Sequence, residues 1–128
     1  MRVLLDTHTL IWWWAEPERL SLRVLGLIGD AEAEIYVSAA SAWEIATKHR
    51  IGKLPSGATM LREWHHRLTL DRFRELPISS RQAARAGLLV GQHRDPFDRM
   101  LAAQSLEESL VLATVDGALA DLGAQTVW

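Results

Sequence analysis

The sequence predicts an α/β protein with a mostly parallel sheet and helices on both of its sides. Short β-prone apolar runs alternate with helical periodicities along all 128 residues, a pattern that demands βαβ crossovers. Two of the runs, Val3-Leu4-Leu5 and Leu110-Val111-Leu112-Ala113, are apolar without alternation, as strands buried on both faces are. Each is followed closely by a Thr and an Asp: Asp6-Thr7 after the first, Thr114-Val115-Asp116 after the other.

The first helix follows Asp6 with Leu10, Ile11, Trp13 and Trp14 as its apolar stripe, and Glu16-Pro17 ends it. Consecutive helical residues point about 100° apart, so Trp12-Trp13-Trp14 cannot bury all three rings on one face. The run reads equally as core with one exposed ring and as a docking patch. A second helix places Leu22, Leu25 and Ile28 at helical spacing before Gly29-Asp30, and Ile35-Tyr36-Val37 is the second strand. Ser38 to His49 is helical, stopped by Gly52 and Pro55, and Thr59 to Leu68 forms a helix capped by Thr59. Phe73 to Ile78 reads as a short edge strand, because Pro77 cannot donate to a central ladder. Ser79 or Ser80 caps the next helix, Asp95-Pro96 opens another that ends near Glu108, and Leu110 to Ala113 is the fourth strand. A short helix from Asp116 to Leu122 and a last strand, Gln125-Thr126-Val127, complete a single domain over residues 1–128.

Composition excludes several classes. The chain has no cysteine, which rules out disulfides and thiolate metal sites and fits a reducing cytoplasm. No signal peptide is visible, and no apolar run approaches the roughly 18 residues of a membrane span. The net charge of −2 gives no global attraction to nucleic acid, but the charges are segregated. Residues 1–47 carry three basic and seven acidic side chains, residues 48–99 eleven and five, and residues 100–128 none and four. A basic middle between acidic flanks reads as a phosphate-contacting rim around an acidic centre, or as a solvated helix face.

Four carboxylates belong to that centre. Asp6 and Asp116 lie at the carboxyl ends of buried strands, where open α/β sheets bind ligands. Glu44 lies two turns into the helix after the second strand, flanked by Trp43, Ile45 and Ala46. A capping box over Ser41-Ala42-Trp43-Glu44 and an i, i+4 pair with Lys48 are its structural alternatives. Asp95 suits the N-cap of its helix, and Asp98 falls at the third position, where the helix dipole favours a carboxylate. Four acids at one sheet edge repel strongly unless cations meet them. All-oxygen ligands select Mg²⁺ or Mn²⁺ over zinc, and carboxylate-held Mg²⁺ suits phosphodiester hydrolysis by activated water. Arg94 and Arg99, flanking Asp98, are candidates for phosphate contact, with ion pairs to Asp95 as the alternative. Lys48, Arg50 and Lys53 come next, and His93 is a further candidate.

Four blocks now stand in order: Leu4-Leu5-Asp6-Thr7-His8, Val37 to Ala46, Asp95-Pro96-Phe97-Asp98-Arg99-Met100-Leu101-Ala102-Ala103-Gln104, and Thr114-Val115-Asp116. Over essentially its whole length the sequence resembles the PIN-domain ribonucleases of the VapC toxin kind. The resemblance implies a three-layer α/β/α fold with strand order 3-2-1-4-5. It also implies Mg²⁺-dependent endoribonuclease activity, homodimers, and inhibition by a cognate antitoxin encoded beside the toxin. The family's acidic positions carry over onto Asp6, Glu44, Asp98 and Asp116, and its hydroxyl positions near the metal onto Thr7 and Thr114. Asp95 takes a supporting or capping role. Val115 is a departure, since many relatives have a polar residue there.

Other functions fit less well. A phosphatase with an Asp nucleophile at position 6 needs a second acid two positions on, and His8 stands there. A phosphoacceptor domain needs a late Lys, and none follows Lys53. The alternative from another class is a catalytically silent PIN-fold binding module.

Overall fold

The computed structural model describes residues 1–128. Five parallel strands form one sheet in the order β3-β2-β1-β4-β5, as the resemblance implies. They are β1 (Arg2–Leu5), β2 (Glu34–Ser38), β3 (Arg74–Leu76), β4 (Val111–Ala113) and β5 (Thr126–Val127). The central register pairs Leu5 with both Val37 and Ala113. The three central strands therefore end level, and whatever follows them meets at one edge.

Successive strand residues point to opposite faces, and two cores result. Val3, Leu5, Ile35, Val37 and Ala113 join a cluster with Leu10, Val24, Ile45, Met60, Trp64 and Leu68. Leu4 and Leu112 face the other way and pack with Leu101, Ala102, Leu119 and Leu122. Helices thus cover both sides, which makes the three layers. The first layer draws on α1 (Thr7–Ala15), α2 (Leu22–Ile28), α3 (Ala39–Arg50), α4 (Gly57–Arg62) and α5 (Trp64–Asp71). The second draws on α6 (Ser80–Leu88), α7 (Pro96–Glu107) and α8 (Ala118–Asp121).

Several local expectations need correction. The helix expected from Thr59 to Leu68 is two, divided at Glu63, and Thr59 lies inside α4 instead of capping it. Its start is set by Gly57, where a Cβ would come within 2.9 Å of His49 Cβ. Only glycine lets α4 approach α3 so closely. The box over Ser41 to Glu44 does not form: Ser38 is the N-cap of α3, accepting from Ala40 N, and Ser41 is buried inside the helix. Leu22 was expected on a buried stripe but is exposed, and Val24 takes its place in the core. At α6 the cap is Ser79, in a reciprocal box with Gln82.

The three tryptophans are all half-buried against the first core. The indole N–H groups of Trp13 and Trp14 both donate to Asp71 Oδ2, at 3.1 and 2.9 Å. Trp14 stands edge-on to Trp64 and Trp12 edge-on to Trp128. All three rings are anchored against the first core, and none is fully exposed. No helix is long and apolar enough to cross a membrane.

Candidate metal centre

Asp6 sits between β1 and α1, and its N–H donates to Ala113 O at 3.0 Å across the sheet. Although it occupies the N-cap position, its side chain makes no capping bond. Instead Oδ2 accepts from Thr114 Oγ1 at 2.7 Å, while Oδ1 is buried with no partner. The residue is 3 % exposed. Burial pushes the Asp6 carboxyl above its ordinary range; the Thr114 bond and His8 oppose this, and the Glu44 charge adds to it. Thr7, also buried, bonds through its hydroxyl to Ser41 Oγ at 2.9 Å, which ties α1 to α3.

Glu44 faces the same interior from α3 and is 2 % exposed. Its Oε2 accepts from the Lys48 ammonium one turn on, and Oε1 has no partner. The i, i+4 pair therefore exists, but on a buried carboxylate instead of a solvated one. The Lys48 Nζ also lies 3.4 Å from His8 Nε2.

Asp98 enters from the first turn of α7. Asp95 caps that helix, its Oδ1 accepting from the N–H groups of Phe97 and Asp98 at 2.8 and 3.2 Å. Asp98 Oδ2 lies 2.8 Å from His93 Nε2. Burial raises the Asp98 carboxyl from 3.8 to about 6 against the pull of that histidine, and the charges of Asp95, Asp6 and Glu44 contribute. Asp6, Glu44 and Asp98 therefore share one electrostatic neighbourhood.

Asp116 does something else. It is exposed, and its Oδ1 accepts from Ala118 N at 2.9 Å, closing the turn into α8. Its own N–H donates to Thr114 Oγ1 at 3.0 Å, so it supports the hydroxyl that supports Asp6.

Arg99 is also differently employed. Its guanidinium donates to the carbonyls of Ala86, Gly87 and Leu89 at the end of α6, and to His93 O. Those are the carbonyls a helix C-terminus leaves without partners, so the fork staples α6 to the 89–95 loop and leaves little of itself for phosphate. Arg94 remains exposed and makes no side-chain hydrogen bond or ion pair.

A model for the PIN domain matches residues 3–125. The chain belongs to the PIN-domain family. It is 34 % identical over 115 residues to "Ribonuclease VapC22" of Mycobacterium tuberculosis, covering 89 % of this chain and 86 % of that protein. Among solved structures it resembles VapBC2 from Rickettsia felis bound to a DNA fragment from its promoter. The TM-score there is 0.72 at 16 % identity, over 99 % of this PIN domain and 98 % of that chain. VapBC-1 from nontypeable Haemophilus influenzae gives 0.68 at 16 % identity, over 99 % and 97 %.

Within this PIN domain, no three Asp, Glu or His side chains converge closely enough to hold a metal ion. The donor chemistry nevertheless suits a hard cation, because two buried carboxylate oxygens lack any partner and such groups are normally satisfied. Sequence reasoning offered the Lys48–Glu44 pair as one alternative but missed the clasps of Thr114 on Asp6 and His93 on Asp98. It left His93 as a candidate for phosphate and took Lys48 for an RNA contact, whereas both lie on carboxylates. It also passed over Gln104, which is fully buried. Gln104 Oε1 accepts from Ser38 Oγ, and its Nε2 donates to Gln82 Oε1 at 3.0 Å, locking α7 to the starts of α3 and α6. A fully polar residue four positions from Met100 on an otherwise apolar helix face was the available signal.

Proposed function

We propose that this PIN domain is a divalent-metal-dependent endoribonuclease and the toxin of a toxin–antitoxin pair. One observation carries the reading: each of three acids has one oxygen clasped and the other left over. Thr114 takes Asp6 Oδ2, Lys48 takes Glu44 Oε2 and His93 takes Asp98 Oδ2. Anchoring one oxygen so that the other is presented is how outer partners orient metal-binding carboxylates. Asp6, Glu44 and Asp98 would hold Mg²⁺ or Mn²⁺, with Asp116 assigned to it by family resemblance. When bound, the ion supplies an activated water and stabilises the charge that develops on the leaving oxygen. The chain's part is to orient and to neutralise. Thr114 fixes the Asp6 rotamer, and Thr7 with Ser41 fixes the distance between α1 and α3. The Lys48 ammonium supplies a counter-charge to Glu44, and His93 hydrogen-bonds Asp98.

The similarity to a named ribonuclease supports RNA as substrate, and the VapBC complexes among similar structures support an antitoxin protein as partner. The test is cleavage of single-stranded RNA with Mg²⁺ or Mn²⁺ and its loss in EDTA. Asp6→Asn and Asp98→Asn should each abolish cleavage while the far-ultraviolet circular dichroism stays the same; either variant cutting at the wild-type rate sinks the assignment. A second reading, a silent PIN-fold binding module, draws on the fact that no three acids close on a point. Millimolar Mn²⁺ separates the two, since a ligand at about 100 times its Kd stabilises by about 2.7 kcal/mol. An unmoved melting temperature favours the silent module.

A further inference from the structure

Beside the acidic centre lies a cleft of about 350 Å³ whose walls include His8, Ile11, Trp12, Arg19, Lys48 and Lys53. We infer that this cleft is the subsite for an unpaired nucleotide adjoining the scissile phosphodiester, with its phosphate on Lys53 and its base on the Arg19–Trp12 platform. The inference rests on the nuclease reading and extends it to how the substrate strand lies.

Three observations support it. First, the cleft adjoins the centre through His8 and Lys48. His8 is two residues from Asp6, and Lys48, whose ammonium holds Glu44, lies 3.4 Å from His8 Nε2. A strand whose phosphate sits among the acids must pass either into this cleft or away from it. Second, the charge is right for a polyanion. Arg19, Lys48 and Lys53 line the walls against Glu16 alone, and Glu16 is already paired with Arg19 at 3.2 Å. Lys48 is committed to Glu44, whereas the Lys53 ammonium has no hydrogen-bond or ion-pair partner. Third, the platform is already assembled. The Arg19 guanidinium lies 4.3 Å from the Trp12 ring centroid, and Trp12 is buttressed edge-on by Trp128 at 5.9 Å. Unpaired bases stack on guanidinium planes and aromatic faces, whereas paired bases cannot present theirs. The volume lies at the small end of ligand pockets, about 300–1,000 Å³, which suits one nucleotide better than a duplex.

Lys53→Gln and Arg19→Gln test this, because both side chains are exposed and neither touches the acids. The probe is a fluorescein-labelled, unstructured oligoribonucleotide of about ten nucleotides, titrated in EDTA over a salt series and followed by anisotropy. Lys53→Gln should weaken binding about 3–10-fold and reduce the log–log salt slope by about 0.7, the value for one phosphate contact on a single strand. In Mn²⁺ the KM for RNA should rise with kcat unchanged, and turnover of bis(p-nitrophenyl) phosphate should not move. Arg19→Gln should weaken binding with a smaller change in slope, since it loses stacking.

If the wild type cuts RNA but both variants keep its KM and salt slope, the subsite is refuted and the nuclease reading survives. A wild type that splits neither RNA nor the small diester overturns both. Duplex RNA competing as well as the single strand refutes the unpaired nucleotide.

Discussion

Asp98→Asn should make the metal-free protein more stable, and the gain should depend on pH. Burial and three neighbouring acids raise the Asp98 carboxyl from 3.8 to about 6. At 1.36 kcal/mol per pH unit, that rise corresponds to about 3 kcal/mol by which the charged form is worse off folded than unfolded. Below 3.8 the group is protonated in both states and contributes nothing. Between 3.8 and about 6 the folded chain holds a proton that the unfolded chain has lost, so stability falls as pH rises. Above about 6 the full cost stands. Asparagine removes that cost and can still hydrogen-bond to His93. It gives up a favourable interaction with the dipole of α7 of about 0.5 kcal/mol. The expected net gain near pH 7.5 is therefore about 2.5 kcal/mol, or about 9 °C in Tm at roughly 2.1 cal/mol/K of unfolding entropy per residue. Near pH 5 the pH-dependent contribution should be about half as large. Urea unfolding in EDTA at both pH values measures it. An Asp98→Asn protein no more stable than wild type near pH 7.5, or one whose advantage does not shrink toward pH 5, refutes the electrostatic account of the site.

Removing a clasp should act in the opposite sense. Lys48→Met leaves Glu44 buried without its counter-charge and should cost about 2 kcal/mol without metal; thermal melts should show Mn²⁺ restoring more stability than it adds to wild type, and equal shifts would count against Lys48 as the balancing cation. Arg99→Lys replaces a planar fork with a point charge that cannot span four carbonyls. It should lose about 1–3 kcal/mol, with hydrogen–deuterium exchange rising over residues 87–95; unchanged exchange there would show that the staple is not needed. Thr114→Val frees Asp6 Oδ2 and should weaken Mn²⁺ binding by about 10–100-fold, as calorimetry would report. Wild-type affinity would mean that Thr114 does not orient the carboxylate.

Much of the architecture was readable because it depends on patterns that local chemistry enforces. The runs at Val3–Leu5 and Leu110–Ala113 are apolar at every position, which only a strand covered on both faces requires. Asp95-Pro96 marks its helix start because a capping oxygen and a fixed φ suit the first turn. The break at Glu63 was illegible, since Met60, Trp64 and Leu68 keep helical spacing across it and all three are buried. The chain turns at Glu63, and sequence periodicity does not express that break. Of the acids, Asp6 follows β1 and Asp98 opens α7, the positions that their flanking residues imply. Of the acids' partners, only Lys48 on Glu44 was readable, from its i, i+4 spacing. His93 reaches Asp98 because Arg99 bends the 89–95 loop back on itself, and that path exists only once α6 and α7 have packed.

The clasps also bear on how the proposed centre is held in the metal-free protein. Three acids brought together without counter-charges would repel one another and take up protons. Here each is clasped from a different direction: the end of β4 for Asp6, a turn further along α3 for Glu44, and the loop before α7 for Asp98. Thr114 reaches Asp6 only once β4 has joined β1, whereas Lys48 meets Glu44 within α3 itself and His93 meets Asp98 across the start of α7. Lys48 and His93 are monodentate partners at partly exposed positions, with side chains 28 % and 25 % accessible, and so can yield. Thr114 is buried and fixed. In the centre proposed above, Asp6 would therefore stay fixed, and Glu44 and Asp98 would be the members whose partners a divalent ion displaces.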